Sequence, residues 1–187
     1  GEFTLDVWDA KLAETGSALV KARRDLLDEM AGGLTSAYDA VAQKAAEVTA
    51  VYQQSWDGNL SGALREARQL DIRRGVTTVG PHRDEILLSI GGAPARTHAS
   101  QGEQRSLALA LRLAADAVVR VAGIAEPILL LDDVFSELDP GRAGALLDAL
   151  PDSQRLLTTA AALPPAASPD QILSVVDGRL FDGGVVL

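Results

Sequence analysis

Four consecutive aliphatic residues, Ile128-Leu129-Leu130-Leu131, run directly into two acids, Asp132-Asp133. A run this short and this apolar, opened by Pro127, fits a strand buried on both faces. Strands of that kind are mostly parallel and covered by helices. In parallel sheets, functional groups collect at the carboxyl ends of the strands. The feature therefore predicts an α/β chain with two carboxylates at a strand tip. One of them is placed to hold Mg2+, directly or through water, and its neighbour to polarise an attacking water. A buried strand followed by a solvated acidic turn explains the same pattern equally well.

The flanking pattern supports alternating strands and helices. Downstream, a helix is expected over residues 141–150 and a strand over 155–159. A Pro/Ala-rich loop at 160–169 follows, then a hairpin of 172–176 and 179–181 turned by Asp177-Gly178. Upstream, residues 85–90 read as a strand, Gly91-Gly92 as a turn, 94–99 as a polar loop and 101–121 as a long helix. Val76-Thr77-Thr78-Val79 is β-branched and reads as a further strand.

The first seventy residues read as helix. Leu5, Trp8, Leu12, Leu19, Ala22 and Leu26 share one face at a spacing near 3.5 residues. Gly32-Gly33 reads as a helix stop. A second apolar face follows with Leu34, Tyr38, Val41, Ala45, Val48 and Tyr52, then a third helix over residues 60–70. The expected organisation is a helical arm over 4–72 and a layered α/β part over 73–187. Gly1-Glu2-Phe3 looks like a cloning remnant.

Composition narrows the function classes. The chain has 187 residues and no cysteine, which removes disulfides, thiol catalysis and cysteine-ligated metal sites. Its two histidines, His82 and His98, are too few for a histidine-rich metal centre. No apolar run approaches the roughly 18–20 residues a membrane span needs. A net charge of −9 argues against generic nucleic-acid binding, but the charge is uneven. Residues 1–70 carry −4, residues 71–125 carry +2 and residues 126–187 carry −7.

That positive middle contains Ser100-Gln101-Gly102-Glu103-Gln104-Arg105 at the start of the long expected helix. A helix start offers unpaired N–H groups and a favourable dipole to a phosphate, glycine permits close approach, and serine adds a hydroxyl. Ser100-x-x-Glu103 is also an ordinary capping box, and taken alone that explanation is the stronger. Ser136-Glu137-Leu138-Asp139-Pro140 follows the two acids, and there Ser136 or Asp139 also suits a helix cap.

The ordered set of these segments resembles the signature motif, Walker B motif and D-loop of ATP-binding-cassette ATPases. A further segment, Gly80-Pro81-His82-Arg83-Asp84-Glu85, narrows the resemblance to the RecF family of bacterial recombination mediators. The similarity covers about residues 4–187 and is most specific between Thr77 and Asp139. RecF is similar to the heads of Rad50 and the structural-maintenance-of-chromosomes proteins, with a short helical arm in place of a long coiled coil.

The resemblance implies the second half of an ATPase head that dimerises on ATP. It implies that Ser100, Gln101 and Gly102, with Glu103 and Gln104 in the same motif, meet the γ-phosphate of ATP bound to an opposing protomer. It implies Asp132 as the Mg2+ ligand and Asp133 in the place of the usual catalytic glutamate. Ser136, Glu137 and Asp139 would form the D-loop at the dimer interface. Thr158 and Thr159 stand near the switch position, where many transporters carry histidine. Gly80, His82, Arg83 and Asp84 belong to the family segment without an assigned step.

No Gly-x-x-x-x-Gly-Lys-Ser/Thr occurs in the chain, so the phosphate-cradling loop is expected upstream and this piece alone is expected to be inactive. The partners implied are DNA gaps or junctions, a second copy of the protein, and the RecO and RecR mediators, in the cytoplasm and without a membrane. The alternatives are a Rad50-like or transporter-like head fragment, or a non-enzymatic helical interaction module.

Overall fold

In the computed structural model, residues 2–123, 126–136, 138–160 and 162–183 are described. They form two compact units, residues 1–127 and 128–187.

The first unit is organised on one long helix, α1 (Glu2–Ala42). Met30, Leu34, Tyr38 and Ala42 fall on one stripe of it and pack with Val48, Ala95, Leu107, Ala110 and Ala114 into a single apolar cluster. Leu34 and Tyr38 are essentially solvent-free, at 1% and 0% exposure. Burial of side chains this size contributes about 1.5–3 kcal/mol each. The partner helix is α4 (Gln101–Val121), which coincides with the expected long helix. Small residues such as Ala110 and Ala114 on its buried face let it lie close to α1.

Between these helices run β1 (Val48–Gln53), α2 (Leu60–Arg74), β2 (Glu85–Ile90), the two-residue β3 (Ala93–Pro94) and a single helical turn, α3 (Ala95–His98). The strands form an antiparallel sheet in the order β1-β2-β3, with Val48 opposite Ile90 and Gln53 opposite Glu85. Gly91 and Gly92 both have positive φ, 58° and 78°, and make the tight turn from β2 to β3. Helix α2 starts on the Asn59 side chain, which accepts from the Gly62 amide at 2.8 Å, and ends on left-handed Gly75. Arg68 of α2 reaches Asp6 and Asp9 of α1, each at 2.5 Å.

Four expectations change here. Gly32-Gly33 does not stop the helix; α1 passes through both, because packing further along the stripe outweighs their poor propensity. Val48 and Tyr52 lie on a strand rather than a helix face, since β2 supplies a non-local partner. Val76–Val79 is not a strand. Its backbone is held locally, with the Asp71 carboxylate accepting from the Thr78 amide at 3.1 Å and the Thr78 hydroxyl at 2.5 Å. The expected loop at 94–99 is instead the end of β3 and the turn α3.

The second unit is a strand–helix–strand crossover followed by a hairpin. β4 (Leu129–Asp132) pairs in parallel with β5 (Arg155–Thr158), joined by α5 (Pro140–Ala149). Asp139 caps α5 by accepting from the Arg142 amide at 3.0 Å, and Pro140 occupies its first turn. β6 (Leu173–Val176) and β7 (Arg179–Asp182) form the expected hairpin, with Asp177 and Gly178 at φ 49° and 73°. The apolar run is not buried on both faces as expected. Leu131 is 7% exposed but Leu130 is 69% exposed, and its register partner Leu156 is 54% exposed. Only two strands pair in this sheet among the described residues, and Leu130 and Leu156 are left exposed on it.

Candidate functional site

The expected site residues fall on three local structures, two in the first unit and one in the second.

Ser100 is the N-cap of α4 and forms a complete capping box with Glu103. Its side-chain oxygen accepts from the Glu103 amide at 3.3 Å. In return, Glu103 Oε2 accepts from the Ser100 amide and hydroxyl, both at 2.9 Å. Lys44 Nζ stands 3.3 Å from the other carboxylate oxygen. Glu103 is held below the ordinary carboxylate range, first by the Ser100 backbone bond, then by the hydroxyl and Lys44. The Gln104 side chain donates to the Ala99 carbonyl at 3.1 Å, tying the helix to the chain before it. Gln101 is exposed and Gly102 half-buried in the first turn, where amide N–H groups have no acceptor within their own helix.

The Gly80–Asp84 segment is a turn pinned from several sides. Gly80 has φ 135°, a conformation that favours glycine. The Arg83 amide donates to the Gly80 carbonyl at 2.8 Å. His82 Nε2 lies 3.0 Å from the Thr77 carbonyl, which also accepts from the Arg83 guanidinium at 3.1 and 3.3 Å. Arg23 of α1 donates to the Pro81 carbonyl at 2.6 Å. Asp84 accepts from the Tyr52 hydroxyl, and from the Ser55 amide and hydroxyl at 2.9 and 2.8 Å. Arg23, Ser55 and Lys44 carry no sequence signal of a site role, and Tyr52 reads from sequence only as part of an apolar helix face. They meet these segments only through pairing and packing of residues far apart in the chain, and no local pattern marks them.

In the second unit, Asp132 and Asp133 stand exposed at the carboxyl end of β4, as expected. Thr158 lies opposite Asp132 in the parallel register, and its hydroxyl donates to Asp132 Oδ1 at 2.5 Å. The Asp133 amide donates to both the Thr158 carbonyl and the Thr158 Oγ1, each at 3.1 Å. Asp133 itself has φ 49°, a left-handed conformation. Ser136 closes the following turn, its hydroxyl donating to the Asp133 carbonyl at 2.9 Å. Asp139 serves as the cap of α5, Thr159 follows β5, and Glu137 lies outside the described residues.

Among the described residues no cluster of three or more histidine, cysteine or acidic side chains surrounds a metal position. The Asp132-Asp133 pair nevertheless suits Mg2+, which takes one or two carboxylates and completes its shell with water and substrate phosphate. No helix of the described residues is long and apolar enough to cross a membrane.

These local structures define an α/β chain with a hydroxyl-capped helix start in one unit and a carboxylate-bearing parallel strand in the other. No family model matches it. Curated relatives do, among them two RecF proteins. The DNA replication and repair protein RecF of Frankia alni is 44% identical over 173 residues, covering 84% of this chain and 46% of its own length. The RecF of Streptomyces avermitilis is 43% identical over 168 residues, covering 84% and 45%. Solved structures share the fold as well, two of them described as RecF. One, described as the recombination mediator protein RecF-ATPrS in the RecFOR pathway, superposes with a TM-score of 0.78 at 26% identity, over 97% of this chain and 51% of that one. The other, RecF-ATP in the same pathway, gives 0.79 at 27% identity, over 98% and 51%. The chain belongs to the RecF family. It spans about half the length of the curated relatives it matches.

Proposed function

We propose that this chain is the signature-motif and Walker B part of an ATP-dependent DNA clamp that acts in recombination, repair and the processing of replication gaps. The observation that carries the reading is the start of α4. There the Ser100 side chain and the first-turn amides of Gln101 and Gly102 meet at a capped helix terminus, an arrangement suited to a terminal phosphate that displaces the Glu103 carboxylate from the serine hydroxyl. The match to RecF-ATP supports ATP as the nucleotide.

In this reading Ser100, Gln101 and Gly102 bind the γ-phosphate of ATP held mainly by an opposing protomer. Those contacts exist only in the closed dimer, so ATP favours dimerisation and its loss after hydrolysis releases it. Asp132 holds Mg2+, which when bound supplies positive charge to the phosphate oxygens. Asp133 orients the attacking water, and Ser136, Glu137 and Asp139 act at the protomer interface. A phosphate-cradling loop comes from outside this sequence, which contains none. Residues 4–72 serve as the arm of the head and 73–187 as its second half. The segment Gly80–Asp84, with His82 and Arg83, is a structural brace of the head. DNA gaps or junctions are the substrate, RecO and RecR the protein partners, and the cytoplasm the compartment.

The test is ATP turnover. In the longer protein carrying this chain, Mg2+-dependent hydrolysis is expected and is lost in Asp132→Ala, while the 187-residue chain alone shows none. Robust turnover by the chain alone, abolished by Asp132→Ala, would overturn the reading.

A further inference from the structure

Thr158 is bonded to both acids of the neighbouring strand at once. Its hydroxyl donates to the Asp132 carboxylate at 2.5 Å, and its Oγ1 and carbonyl both accept the Asp133 amide at 3.1 Å. The parallel register that sets Asp132 opposite Thr158 produces this grip. The two effects differ. For Asp132, an exposed carboxylate at a strand tip would otherwise sample several rotamers, and the hydroxyl selects one. For Asp133, the shared amide bonds hold the backbone at a left-handed φ of 49°, which aspartate tolerates better than most residues but does not adopt by default. A β-branched residue suits the task because its own χ1 is stiff.

We infer that Thr158 is a positioning residue for the metal-binding strand: it presets the Asp132 carboxylate for Mg2+ and fixes the backbone from which Asp133 projects. The role assigned by the geometry is therefore to the acids rather than to the nucleotide. It rests on the proposed ATP-handling role of β4, and the experiment separates the two.

In the longer protein carrying this chain, the Mg2+ concentration for half-maximal binding of a fluorescent ATP analogue and for half-maximal turnover would be measured. Partners that orient metal ligands typically change metal affinity by about 10–100-fold. Thr158→Val is expected to raise both concentrations about tenfold, with Thr158→Ser restoring them to within about twofold of the starting protein. Thr158→Ala, which removes the hydroxyl without a methyl in its place, must show the same rise. A Mg2+ requirement unchanged in Thr158→Val and Thr158→Ala, alongside its loss in Asp132→Ala, would sink the positioning role and leave the ATP reading standing. If Asp132→Ala also leaves the requirement unchanged, the reading of the strand fails and the inference with it.

Discussion

Glu103 bends back to Ser100 and accepts from both its amide and its hydroxyl at 2.9 Å, so the carboxylate occupies the donors to which a phosphate would be drawn. Lys44 beside it offsets the negative charge. Ser100→Ala is expected to cost about 1 kcal/mol through the lost cap. Glu103 is held below its ordinary value of 4.5, so its contribution is present above that pH and is lost as the pH falls through the lowered folded value. Thermal melts of Glu103→Gln and the starting chain should therefore differ at pH 7 and converge in acid.

Tyr52 and Asp84 join β1 to the turn carrying His82 and Arg83. Tyr52→Phe is expected to destabilise by about 1–2 kcal/mol, since it removes a bond to a charged group. Burial first, and the Asp84 bond second, hold the Tyr52 hydroxyl above its ordinary value of 10.0. Its contribution is complete below that pH and disappears as the pH rises through the raised folded value. Denaturant titrations from pH 8 upward should show the difference between Tyr52→Phe and the starting chain shrinking at the alkaline end.

The glycines of α1 should respond in opposite directions. A Cβ at Gly32 or Gly33 meets nothing within 4 Å, so alanine there should stabilise by about 0.5–1 kcal/mol through helix propensity. A Cβ at Gly16 would stand 2.7 Å from Leu60 Cδ2 and 3.3 Å from Pro81 Cδ. Leu60 is only 2% exposed and has little room to yield. Overpacking of this kind costs about 1–3 kcal/mol, so Gly16→Ala should destabilise despite the better propensity. Chemical denaturation of the three single variants reads the sign directly.

Local signals were legible where the chain's own neighbours decide the structure. The Ser100 capping box, the Asp139-Pro140 helix start and the Asp177-Gly178 hairpin are all set within a few residues. Legibility failed where distant partners decide. Val48 and Tyr52 fit a helical spacing, yet β2 draws them into a strand. Val76–Val79 has strand-like side chains, but Asp71 and left-handed Gly75 hold it locally and no strand among the described residues pairs with it. The same distinction applies to the candidate site. Its acids, serine and threonines could be named from the sequence, whereas the Asp132–Thr158 bond depends on a register between strands separated by a helix.

The most direct test is light scattering on the longer protein carrying this chain, with and without ATP, alongside its Ser100→Arg variant. An arginine at the start of α4 fills the place where the opposing protomer's γ-phosphate is proposed to dock. ATP is expected to double the molar mass of the starting protein but to leave Ser100→Arg monomeric, with nucleotide binding by the monomer near normal. An ATP-driven dimer formed equally well by Ser100→Arg would contradict that docking.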